Sequence, residues 1–70
     1  MPFANLKVPA GSLTAAQKKD MVTTVTDMYT KTYGEQARAG VLVLIDEVPD
    51  GGWGIRGDVL TLAMLQGNDS

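Results

Sequence analysis

Positions 3 to 8 alternate: Phe3, Asn5 and Lys7 fall on one side, and Ala4, Leu6 and Val8 on the other. That period of two predicts a strand with one well-defined apolar face. Pro9 and Gly11 end it, since proline removes a ladder donor and glycine permits a tight turn. From Thr14 the period changes. Met21, Val22, Val25, Met28, Tyr29 and, less regularly, Tyr33 draw one stripe at helical spacing, while Lys18, Lys19, Thr23, Thr26 and Lys31 fall mostly off it. Thr14 and Gln17 fit a capping box, and Gly34 supplies a stop, so the pattern predicts a helix over 14–33. The Met and Tyr stripe reads as core rather than as a cofactor site.

Glu35 to Gly40 reads as a connection. Val41-Leu42-Val43-Leu44-Ile45 is a continuous apolar run, which predicts a strand buried on both faces as in a parallel sheet. Strand, helix, strand is a βαβ unit, with a right-handed crossover expected. Pro49-Asp50-Gly51-Gly52 is a turn signal, and Trp53 to Gly57 reads as a short hairpin or a Gly-rich loop. Asp58 to Gln66 is apolar and reads as a short helix capped by Asp58 or as an extended arm; Gly67 to Ser70 should fray. No internal repeat or low-complexity segment interrupts the pattern, so residues 1–70 form one small α+β domain.

Composition narrows the chemistry. With no Cys and no His, disulfides are excluded and a zinc or haem site is not expected; no cofactor is implied. A chain of 70 residues lacking those staples commonly draws support from oligomerisation, because two strands are too few for a stable open sheet. The net charge of −2 and the scattered cations disfavour a nucleic-acid partner. No apolar run approaches ~18 residues, so no membrane span is expected, and no signal-peptide pattern is present; cytoplasm is the expected compartment.

The candidate chemistry lies at the start. A proline follows Met1, and a Met-Pro start is a good substrate for methionine removal. Pro2 would then carry a secondary amine. A free α-amine titrates near ~8, against ~10.4 for lysine, and burial or nearby cations lower it further. Such an amine can take a proton from one atom of a substrate and return it to another. Trp53 reads either as an interface aromatic or as an apolar wall for such a site. Arg56 reads as a solvated loop charge or as a carboxylate binder, and Arg38, on the helix-to-strand connection, is a weaker binder of the same kind. Asp46, Glu47 and Asp50 read as a solvated acidic turn, with a water-activating acid as the alternative.

Pro2, Gly11, the Thr14–Gln17 helix start with Lys18, the Val41–Ile45 strand and Gly51-Gly52-Trp53-Gly54-Ile55 occur in an order and spacing that resemble the tautomerase superfamily. The likeness is to its short 4-oxalocrotonate tautomerase-like branch. The resemblance implies a single βαβ unit with a C-terminal hairpin, assembly into hexamers, and an isomerase that uses Pro2 as general base on a small 2-oxo acid or enol. It implies that Trp53 forms the hairpin aromatic wall. Two arginines usual in that branch are missing: Gly11 is followed by Ser12 and Leu13, and Val41 or Leu42 stands where the second strand would carry the other. Those cations bind substrate carboxylates and developing enolates. Their joint loss, with the Pro2-Phe3 start, resembles the β chain of the heterohexameric trans-3-chloroacrylic acid dehalogenase. Two readings follow from the resemblance: an isomerase acting through Pro2, or a weakly active or silent subunit whose partner chain supplies the arginines.

Overall fold

In a computed structural model, which describes residues 1–65 and Gly67, the order of elements is β1 (Phe3–Pro9), α1 (Ala15–Tyr33), a 3₁₀ turn (Glu35–Gly40), β2 (Leu42–Val48), β3 (Trp53–Ile55), β4 (Asp58–Leu60) and α2 (Leu62–Leu65). The fraying expected of Gly67–Ser70 falls, beyond Gly67, outside the described residues.

β1 and β2 pair in parallel, with Ala4 opposite Val43 and Leu6 opposite Ile45. These four share a half-buried face, as the alternation in β1 requires. The other face carries Phe3 opposite Leu42 and Asn5 opposite Leu44, and ends in Lys7 opposite Asp46, which form an ion pair. α1 closes the βαβ unit. Its first turn is capped as the sequence predicts: the Gln17 amide donates to Thr14 Oγ1 at 3.1 Å, and the Thr14 amide donates to Gln17 Oε1 at 2.9 Å. It stops at Gly34, whose φ of 100° is costly for a residue with a Cβ.

The structure refines the sequence pattern in several places. β2 runs three residues past Ile45, because Asp46 and Glu47 take Lys7 and Lys18 as partners and so stay in the strand. The connection from Glu35 to Gly40 is wound as a 3₁₀ helix. Asp58 does not cap a helix; it opens β4, which pairs antiparallel with β3. The residue at the start of α2 is met instead by Asp50, whose Oδ1 accepts from the Leu62 amide at 2.8 Å.

The described residues alone do not enclose a core. Among the described residues no apolar side chain is fully buried, and Thr30 is the one buried residue. Leu42 is 56% exposed and Leu44 46%, so the continuous apolar run of β2 is covered on one face only within the chain. The radius of gyration is 15.2 Å and the long axis 48 Å. A compact chain of this length would have a radius near ~11 Å.

Candidate active site

In a parallel pair both strands begin at the same end. Pro2 therefore lies beside the start of β2, and its carbonyl accepts from the Leu42 amide at 2.9 Å. The segment just before β2 must then lie against Pro2 as well. Met1, Pro2, Tyr33, Gln36, Ala37 and Gly40 line an open cleft of about 440 Å³ there. The end of α1 supplies Tyr33, and the 3₁₀ turn supplies the last three residues. Tyr33 stacks on Tyr29, ring centroids 6.3 Å apart.

Sequence reasoning singled out Pro2 but missed Gln36, Ala37 and Gly40. The signal was topological: in a βαβ unit the residues entering the second strand neighbour the start of the first. Tyr33 was read only as the last member of the helical stripe.

Arg38 does not line the cleft. Its Nη1 lies 2.9 Å from Asp27 Oδ1, and its Nε donates to Glu35 Oε1 at 2.6 Å. The hydrogen bond from Arg38, reinforced by its charge, holds the Glu35 carboxyl below the usual carboxylate value. Glu35 and Asp27 in turn hold the guanidinium protonated even more firmly than usual. The acidic cluster is likewise engaged: Asp46 with Lys7, Glu47 with Lys18, Asp50 with the Leu62 amide. Among the described residues no group of acidic side chains is disposed to hold a metal ion.

Trp53 and Arg56 stand at the opposite end of the sheet. β2 spans Leu42–Val48, a rise of roughly 20 Å at ~3.3 Å per residue. The hairpin leaves from that far end and forms its own two-stranded sheet, with Trp53 opposite Leu60. Leu60 is two residues from Leu62, which Asp50 ties down and which approaches Gly11. Trp53 is thus anchored far from the Pro2 of its own chain. Arg56 sits at the hairpin tip with φ 55°, followed by Gly57 at 85°, the pair of positive angles that a two-residue type I′ turn needs. It is the one residue other than glycine with positive φ among the described residues. Strain of this kind costs on the order of 1–2 kcal/mol and concentrates at functional positions. Trp53 Nε1 is buried with no hydrogen-bond partner among the described residues.

The tautomerase enzyme family model matches residues 2–63, which include the whole βαβ unit and hairpin. The chain belongs to the tautomerase family. A probable tautomerase from Dickeya dadantii (strain 3937) is 39% identical over 61 residues, covering 87% of this chain and 90% of that protein. Among solved structures, a 4-oxalocrotonate tautomerase isozyme from Methylibium petroleiphilum superposes with a TM-score of 0.73 at 33% identity, over 83% of this chain and 90% of the other. DmpI from Helicobacter pylori gives 0.72 at 31% identity, over 94% and 97%. The tautomerase fold and the general class, an isomerase, follow from these matches. No helix among the described residues of this tautomerase is long and apolar enough to cross a membrane.

Proposed function

We propose that this tautomerase moves a proton between the enol oxygen and a carbon of a small 2-oxo acid, with Pro2 as the base once Met1 has been removed. The observation that carries the reading is the cleft at Pro2, the one residue of the chain able to present a secondary amine. Met1 is 96% exposed, accessible to a peptidase. The freed nitrogen takes the enol hydroxyl proton, and a proton is delivered to the adjacent carbon. A carbonyl forms and nothing leaves. The pyrrolidine ring fixes the lone pair beside the substrate, and apolar neighbours disfavour its protonated form.

The working unit is an oligomer, most simply a hexamer. The bare face of Phe3, Leu42 and Leu44, the lack of a buried apolar side chain among the described residues and the large radius of gyration all support assembly. In it the hairpin of one copy meets the Pro2 cleft of another. Trp53 forms the apolar wall, and Arg56 binds the carboxylate that the missing arginines would otherwise hold. Arg38 contributes by bracing the end of α1, because binding substrate would cost it Asp27 and Glu35.

A second reading is favoured by the absence of any cationic side chain in the cleft: the chain is a weakly active subunit completed by an arginine-bearing partner chain. Intact mass and N-terminal sequencing, followed by a ketonisation assay on phenylenolpyruvate, test the first reading. A processed homo-oligomer that turns over the enol supports it. A processed homo-oligomer without turnover, rescued by an arginine-bearing chain, favours the second.

A further inference from the structure

The lining of the Pro2 cleft constrains the substrate more sharply than the family assignment does. Once Met1 is removed the lining is Pro2, Tyr33, Gln36, Ala37 and Gly40, none of which has a charged side chain at neutral pH. The nearest cation in sequence, Arg38, is neutralised by Asp27 and Glu35. A carboxylate pressed into this wall would lose water without gaining a counter-charge from any lining side chain. The cleft does offer one well-held neutral group. Gln36 Nε2 donates to the Tyr33 carbonyl at 3.1 Å, which fixes the carboxamide plane. Its second N–H and its Oε1 have no partner among the described hydrogen bonds. The carboxamide lies over Gly34: a Cβ built there would stand 2.5 Å from Oε1 and 2.8 Å from Nε2. A side chain at position 34 would push this carboxamide aside, and the φ of 100° independently favours glycine there.

The geometry points to Gln36 as a specificity-determining residue: its free amide N–H meets the enol or carbonyl oxygen of a substrate that carries a single carboxylate. This rests on Pro2 as the base, and it narrows the substrate to monoacids. The neutral donor steadies the oxygen as the proton leaves it, while Tyr33 and Ala37 cover the apolar remainder. The one carboxylate projects toward the hairpin of the neighbouring copy. A dicarboxylic enol would have to place its second carboxylate against the uncharged wall.

The test compares kcat/KM for phenylenolpyruvate, a monoacid, with that for the dienol of 4-oxalocrotonate, a dicarboxylate, in processed wild type, Gln36→Leu and Gln36→Lys. Gln36 is exposed, so each variant is expected to fold. Wild type should favour the monoacid by at least about tenfold, the scale of one unmet charge. Gln36→Leu should lower the monoacid value by about two- to tenfold, as for one neutral hydrogen bond. Gln36→Lys should swing the preference toward the dicarboxylate by about ten- to a hundredfold. Turnover of both enols with the same ratio in wild type and Gln36→Lys overturns this inference and leaves Pro2 standing as base. No turnover of either enol by the processed wild type overturns the Pro2 reading and this inference with it.

Discussion

The two ends of the parallel sheet differ in what they offer. At the start of the strands, Pro2 faces a cleft with one carboxamide, one phenol and no charged side chain. At the far end, the hairpin presents an indole with an unmet N–H and an arginine held in a strained backbone conformation. One end has a candidate base and, in Arg38, only a cation already paired with Asp27 and Glu35; the hairpin has Arg56 and no base. Roughly 20 Å of strand separates them, and Asp50 tethers α2 at the far end. The two halves are complementary, and within one chain Pro2 and Trp53 do not meet. Assembly is therefore part of the catalytic proposal, beyond its role in stability.

The largest effect should come from blocking the contact between copies. Leu44→Asp places a charge on the bare apolar face of β2, and burying an unpaired carboxylate costs several kcal/mol. Light scattering should then report smaller species, with ketonisation lost by about a hundredfold or more. A fully active variant of unchanged size would break the link between assembly and activity.

Next come the two ends themselves. In processed protein, Pro2→Ala retains an amine but loses the ring, and activity should fall at least about tenfold. Arg56→Gly should reduce kcat/KM on an acidic enol by about ten- to a hundredfold, the worth of a charge-assisted contact. The same substitution should raise the stability of the hairpin by about 1 kcal/mol, since glycine adopts positive φ freely. Opposite signs in kinetics and denaturation would mark Arg56 as strained for function. A loss of both would make it structural.

Smaller effects probe the scaffold. Thr14→Ala removes the cap and should cost about 1 kcal/mol in urea denaturation, with kinetics unchanged. Glu35→Gln should matter least. The lowered Glu35 value contributes stability that is present above the ordinary carboxylate range and is lost as acid takes the pH through the lowered value. The pair is exposed, so the difference between Glu35→Gln and wild type should be small at neutral pH, vanish in acid and shrink with salt.

Much of this was legible in the chain. The capping box at Thr14 and Gln17, the alternation of β1 and the stop at Gly34 depend on local chemistry and appear where the pattern puts them. What was misread depends on distant partners. Asp46 and Glu47 look like turn residues until Lys7 and Lys18 are brought beside them. Asp58 looks like a helix cap, but Arg56 and Gly57 turn the chain so that it pairs with Ile55. The six residues of the 3₁₀ turn are too few to show a period, so Gln36 carried no signal of its own. Trp53 and Arg56 were read as candidate site residues, and sequence spacing alone did not fix how far along the sheet they lie from their own Pro2.

The most direct test mixes defects. Oligomers reassembled from equal amounts of Pro2→Ala chains and Arg56→Ala chains contain no chain with both ends intact. If one copy's hairpin serves another copy's Pro2, random mixing makes about a quarter of the sites whole, as symmetric assembly requires. Ketonisation of phenylenolpyruvate should then rise well above the average of the two parents, toward that fraction of wild type. Mixed oligomers, confirmed by native mass spectrometry, that show only the parental average would contradict the account.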